Sequence, residues 1–248
     1  MSDATVDADL HRQIVAHALL TGLTPLIPIP FLDDQIRDVL RRRMVRQIDA
    51  RRDGAPHSPL DDSGVRVLAE GVPSRAAQRG CMLGALLAGA LYIARKLFTR
   101  VMRKIFFLFT LRDTARTFTD TYQLGWLVHR ARHDQAFQQR DPRAVRHAIE
   151  RTLAEVDPSP TRRTVQGVLR GSGRALRRAA RRLVRTMRRR SASDEDRTAD
   201  LPFDDANGPL DALIVQLVEA LGRDAQHRSE LDQCFQSHLA GQEKDMMS

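Results

Sequence analysis

The sequence predicts an all-α protein: a helical bundle with a proline-stiffened apolar hairpin, followed by a basic helix and a C-terminal helical hairpin. Three observations carry this. Aromatic residues make up 5% of the 248 residues, with two tyrosines and one tryptophan, too few for a sandwich or barrel of aromatic-rich strands. Apolar residues recur at three-or-four spacing through most of the chain, the period of a helix with one buried stripe. Proline and glycine gather at a few places, where they punctuate helices. No internal repeat is visible, and with 42% hydrophobic residues the chain can close a core without disulfides or metal.

In order along the chain, Leu10, Ile14, Ala18, Leu19, Gly22 and Leu26 mark the first stripe. The run from Pro25 to Phe31 places prolines at 25, 28 and 30; these remove backbone donors, hold the chain extended and end the helix. Asp33 and Asp34 then cap a second helix with Ile36, Val39, Leu40, Met44 and Ile48 on one face and Arg37, Arg41, Arg42, Arg43 and Arg46 on the others. Residues 51–63 read as a polar loop and Val65–Glu70 as a short helix or turn.

Cys81–Ala94 is the most hydrophobic stretch, bounded by Arg79 and by Arg95 and Lys96. As a helix it rises only ~21 Å, short of the ~30 Å hydrocarbon core, so it does not span. Leu97, Val101, Ile105 and Leu108 continue an apolar face with Arg100, Arg103 and Lys104 opposite, and Ile105–Phe109 is apolar on every side. The spacing of Ala115, Phe118, Tyr122, Gly125, Trp126 and His129 predicts an amphipathic helix over 112–133. Asp141 and Pro142 cap another through Ile149, Leu153 and Val156. Asp157–Pro160 then ends a helical domain covering residues 10–157.

Residues 161–190 carry Val165, Leu169, Ser172, Leu176, Ala179, Leu183 and Met187 in one stripe, with arginines on the remaining faces. This predicts a basic amphipathic helix, bent by Gly171 and Gly173. Residues 191–208 have linker composition. Pro209 opens a helix with Leu210, Leu213, Ile214, Leu217, Val218 and Leu221, and a last helix over 229–239 buries Leu231, Cys234, Phe235 and Leu239. Together residues 209–240 form an acidic helical hairpin, a candidate docking module for a protein partner.

Charge divides sharply along these boundaries. Residues 1–160 hold 24 basic and 18 acidic groups, residues 161–190 hold 12 basic and none acidic, and residues 191–248 hold 4 and 13. The acidic tail is therefore expected to fold back on the Arg helix through Asp194, Glu195, Asp196, Asp204, Asp205 and Asp211. Cys81 and Cys234 lie far apart without a Cys-x-x-Cys partner, which points to a reducing compartment and away from a disulfide framework or a cysteine zinc site. Three aspartates and no basic residue precede Arg12, the opposite of a secretory leader. The expected location is cytoplasmic and membrane-associated.

No phosphate loop, nucleophile elbow, His-Glu-x-x-His site or Glu-x-x-His pair is present, so the expectation is a non-enzymatic chain with no catalytic residues, no cofactor and no metal. His129 and His133, at i and i+4, would need a third ligand such as Asp134 or His147. What remains is surface chemistry. Ile27, Ile29, Phe31, Leu86, Leu87, Leu91, Phe106, Phe107 and Phe109 are the candidate membrane-contact residues. Arg95, Lys96, Arg100, Arg103, Lys104, Arg174, Arg177, Arg178, Arg181, Arg182 and Arg185 are the candidate anion- or headgroup-binding residues, with an anionic membrane surface as the expected partner. The alternative is a soluble helical protein that binds nucleic acid or an acidic protein through the Arg helix, which lacks base-stacking aromatics.

Residues 17–48, HALLTGLTPLIPIPFLDDQIRDVLRRRMVRQI, resemble the Ile-Pro-x-Pro, acidic, long-helix pattern of EcsC-like proteins. They are similar too to the helical domain of unknown function attached to some Era-like GTPases. In both families the hairpin precedes further apolar helices, and the resemblance implies a bacterial, membrane-associated, non-catalytic helical domain. The Arg helix and acidic tail fall outside that pattern, and no GTPase domain accompanies it here.

Overall fold

A computed structural model describes residues 3–24, 32–50, 60–70, 100–134, 136–173, 176, 178 and 209–247. Among the described residues there is no strand, and nearly all are helical: α1 (Asp3–Gly22), α2 (Leu32–Ala50), α3 (Asp62–Glu70), α4 (Arg100–His133), α5 (Ala136–Gln139), α6 (Pro142–Glu155), α7 (Ser159–Gly171), α8 (Pro209–Gly222) and α9 (Ala225–Met247). The all-α expectation is met.

The helix α4 is the axis, with α1, α2, α6, α7 and α9 against it. The 97–109 and 112–133 stripes of the sequence belong, over the described residues, to this one continuous helix. Its buried Phe118, Tyr122 and Leu127 meet Ile14, Leu19 and Leu23 of α1 and Leu40 and Met44 of α2 in a single core. Two glycines let the axes approach. A Cβ on Gly22 would lie 3.0 Å from the Thr114 carbonyl oxygen and 3.1 Å from Phe118 Cβ; one on Gly125 would lie 2.9 Å from Ile14 Cγ2 and 2.9 Å from Met44 Sδ.

These contacts fix direction. Along α1, Gly22 meets Thr114 and Phe118, Ile14 meets Gly125, and His11 meets Tyr122, so α1 runs antiparallel to α4. Along α2, Arg41 bonds Thr121 at 3.4 Å, Met44 meets Gly125, and Asp49 pairs with Arg132 at 2.9 Å, so α2 runs parallel to it. Helices α3 and α6 both start beside the C-terminal ends of α2 and α4 and run back. Arg46 pairs with Asp62 at 2.8 Å, Gly64 lies against Pro142, and Arg146 donates to the Leu68 carbonyl at 2.8 Å.

Local chemistry sets the ends. Asp61 caps α3, accepting from the Gly64 amide at 2.8 Å, so the segment read as a helix or turn from Val65 is a helix from Asp62. Asp141 accepts from the Arg143 amide at 2.9 Å ahead of Pro142, the expected cap of α6. The Asp157–Pro160 segment does not end a domain. Val156 is extended (φ −81°, ψ 128°), Asp157 accepts from the Ser159 amide at 3.0 Å, and the chain continues as α7, which packs on α4 and α8.

Boundaries differ elsewhere. The first helix begins at Asp3, α2 at Leu32 with Asp33 and Asp34 inside its first turn, and the last helix spans Ala225–Met247. Nor does the C-terminal hairpin stand apart: α8 packs on α1 and α7, α9 on α6 and α4, and Leu213, Leu217, Leu221, Leu231, Phe235 and Leu239 join the common core. A stripe that would have docked a partner is occupied by the bundle itself. Cys234 is half-buried rather than part of the core.

The glycine contacts generate a paired expectation. Gly167, in the interior of α7, has open space around a built Cβ, so Gly167→Ala should raise stability by ~0.5–1 kcal/mol through helix propensity alone. Gly22→Ala gains the same propensity but presses on a backbone carbonyl and a Cβ, neither of which swings away, and should lower stability by about 1 kcal/mol or more. Urea unfolding of both variants checks the sign. Equal shifts would show that α1 and α4 do not meet as closely as Gly22 implies.

Candidate membrane-facing pole

The register of the bundle decides where the nominated segments leave it. Carried back from the Arg41–Thr121 contact at one residue per 1.5 Å, Leu32 lies about level with Arg112, and Thr24, two residues beyond Gly22, lies at about the same height. The stretch of α4 from Arg100 to Arg112 therefore extends roughly 18 Å past the ends of α1 and α2. Helix α7 runs towards the same end. Asp157 at its start feels His227, which bonds Gln123 at 3.1 Å, while Arg162 is one of the charges acting on Asp120. Continuing antiparallel to α4, α7 reaches the height of Arg112 at about Leu169.

Three segments singled out in the sequence thus depart from one pole: residues 25–31 between Thr24 and Leu32, the chain entering α4, and the Arg-rich run leaving α7. Ile27, Ile29, Phe31, Leu86, Leu87, Leu91, Arg95, Lys96, Arg174, Arg177, Arg181, Arg182 and Arg185 lie outside the described residues. Arg100, Arg103, Lys104, Phe106, Phe107 and Phe109 sit on the part of α4 that extends past the pole. Arg178 is helical and exposed.

The described part of the Arg helix is amphipathic as expected, and its apolar side is used internally. Thr161, Val165, Leu169 and Leu176 are buried, while Arg163, Arg170 and Arg178 face outward. Helix α7 packs on α8, whose Asp211 pairs with Arg12 of α1. The other five acidic residues expected to fold back lie outside the described residues.

Beneath the pole stands a collar of arginines that sequence inspection did not assemble: Arg37 and Arg41 on α2, Arg112 and Arg116 on α4, and Arg162, Arg163 and Arg170 on α7. Asp120 sits among Arg116, Arg41, Arg162 and Arg37; burial pushes its carboxyl above the usual range against the pull of those four charges. Burial, and then the charge of Arg37, pushes the Arg41 guanidinium below its ordinary value. At the opposite end Arg132 pairs with Asp49, Arg46 with Asp62, and Arg130 with Asp134 at 3.0 Å.

The other polar cluster is internal. His11 Nε2 lies 3.0 Å from the Tyr122 hydroxyl, the Trp126 indole donates to Asp232 at 2.9 Å, and the Arg228 guanidinium lies 5.2 Å over the Trp126 ring, latching α9 to α4. His129 meets Trp126 edge-on, His133 meets His129 edge-on, and His133 lies 3.2 Å from Asp134. His147, the other proposed third ligand, is exposed on α6. Burial lowers His11 to about 4, helped by Arg228 and His129, and lowers His17 to about 4 against the bond from its ring to the Gln13 carbonyl.

Comparison with protein-family models, with curated proteins and with solved structures finds no match. No helix among the described residues is long and apolar enough to cross a membrane.

The two lowered histidines give a pH dependence with a definite sign. In the unfolded chain they take up a proton near pH 6.5, and in the folded chain only near 4. Between those values the unfolded state binds more protons, so their contribution is complete above about pH 6.5 and is lost as pH falls towards 4, at up to about 1.4 kcal/mol per pH unit for each histidine. The urea midpoint should drop between pH 6.5 and 5, and His11→Gln should flatten that drop. A midpoint independent of pH over this window would contradict the assignment.

Proposed function

We propose that this chain is a non-enzymatic, peripheral or monotopic membrane-associated helical adaptor that seats its arginine-collared pole on an anionic lipid surface at the cytoplasmic side. The observation that carries the reading is that Thr24 and Leu32, which flank residues 25–31, the N-terminal part of α4 and the C-terminal end of α7 all lie towards one end of the bundle. Apolar segments of this length lie in an interface rather than across it. Arginines ranged beneath them reach headgroups while their stems cover apolar surface, each worth ~1 kcal/mol near an anionic leaflet.

The flank of the bundle supports the same assignment. Among the described residues the exposed large hydrophobics are Val39 and Val215, so the apolar contact falls to the segments at the pole. In the register set by Arg41 and Thr121 the collar supplies seven arginines against Asp33, Asp34, Asp38, Asp113 and Asp120 at the same height, an excess of positive charge at this end.

Flotation with vesicles tests this. Binding should rise with the anionic lipid fraction and fall with salt, because exposed charges are screened over ~8 Å at physiological ionic strength. Arg163→Glu with Arg170→Glu, both exposed on α7, should weaken binding at least about tenfold, whereas Arg143→Glu at the opposite end should leave it unchanged. Equal binding to neutral and anionic vesicles would refute the electrostatic anchor. Strongly salt-dependent binding to duplex DNA without vesicle binding would replace the reading with the nucleic-acid alternative.

A further inference from the structure

We propose that Glu155, Cys234 and His238 form a binding site for a divalent metal ion of the zinc type, which clamps α9 to the end of α6. One oxygen, one sulfur and one nitrogen donor, drawn from two helices, all lie within 4.8 Å of one another. Cys234 and His238 are four apart on α9 and so share a face, the spacing by which a single helix offers two ligands to one ion. Glu155 closes the triangle from the last turn of α6.

The arrangement is held by backbones rather than by a chance meeting of surface side chains. Helix α9 is latched to α4 through Trp126 and Asp232, its Leu231, Phe235 and Leu239 are buried on the neighbouring face, and the Arg140 side chain reaches the Leu239 carbonyl at 3.5 Å. His238 Nε2 already lies 2.9 Å from Glu155 Oε2, and the Cys234 thiol is within hydrogen-bond reach of Glu155 and Thr152. Zinc bound tetrahedrally at ~2.0–2.3 Å sets its ligand atoms ~3.3–3.8 Å apart, so side-chain rotations of about 1 Å suffice.

Charge and access also fit. A divalent cation, one thiolate, one carboxylate and one neutral imidazole sum to zero, which suits a half-buried position. Glu155 is exposed while Cys234 and His238 are half-buried, leaving an entry path and a fourth position for water. Binding breaks the Cys234 S–H bond and forms a sulfur–metal bond; the proton passes to solvent and no electrons are transferred. The mixed sulfur, nitrogen and oxygen set favours zinc over magnesium or calcium, which take oxygen ligands.

Titration of the full-length chain with cobalt(II), then with zinc(II) in competition, tests the site. One ion should bind per chain with tetrahedral visible absorption, a sulfur-to-cobalt charge-transfer band and release of about one proton. Cys234→Ser should abolish the charge-transfer band, and His238→Ala and the surface change Glu155→Gln should each weaken binding more than about tenfold with unchanged far-ultraviolet circular dichroism. His133→Ala and Cys81→Ser should leave binding as it was. Absence of a charge-transfer band in the wild-type chain, affinity indifferent to both Glu155→Gln and His238→Ala, or loss of binding in His133→Ala or Cys81→Ser would each overturn the proposal.

Discussion

Everything in this fold depends on the close antiparallel packing of α1 along α4. Gly22 against Thr114 and Phe118 at one end, and Gly125 against Ile14 and Met44 further along, remove side chains where the helices come closest. With the axes that near, ridges of Ile14, Leu19 and Leu23 interlock with Phe118, Tyr122 and Leu127, and a slip of one turn would drive a Cβ into a backbone carbonyl. Once that register holds, α2 follows alongside α4, α3 and α6 return against them, and α7 is carried past the core. The position of Thr24, Leu32 and the end of α7 towards one end of the bundle follows from that register.

Polar groups inside the bundle are arranged around the same axis. Thr119 and Thr152 donate to carbonyls one turn back, at 2.8 and 2.9 Å, while His11, Tyr122, Trp126 and Asp232 satisfy one another across three helices. Charged groups gather at both ends of the bundle. At the far end Arg132 and Asp49, with side chains 13% and 9% exposed, form a close pair in which Asp49 also accepts from the Leu60 amide at 2.9 Å. At the collar Asp120 stands among Arg116, Arg41, Arg162 and Arg37, and Asp38 also acts on Arg41.

Much of the fold was legible in sequence because helical periodicity reports burial directly. Leu10, Ile14, Ala18 and Leu19, then Val165, Leu169 and Leu176, then Leu213, Leu217 and Leu221, were all read as stripes and are all buried. Periodicity does not say what a stripe is buried against. Residues 191–208 have the composition of a linker, so the C-terminal hairpin was set apart, yet its leucines complete the core beside α1 and α7. The Asp157–Pro160 segment likewise carried the signs of a boundary, but Pro158 and Pro160 only turn the chain between α6 and α7. The collar was invisible because Arg37, Arg41, Asp120 and Arg162 come from three helices. The Glu155, Cys234, His238 cluster escaped for the same reason, since only its i, i+4 half is local.

We propose one pole of the bundle as its membrane-facing end. Hydrogen exchange of the full chain with and without anionic vesicles tests it most directly. Slower exchange on vesicles is expected at residues 100–116 and 162–178, with residues 60–70 and 225–241 unchanged. Protection that falls on residues 225–241, or that spreads evenly over the bundle while the protein is vesicle-bound, would contradict it.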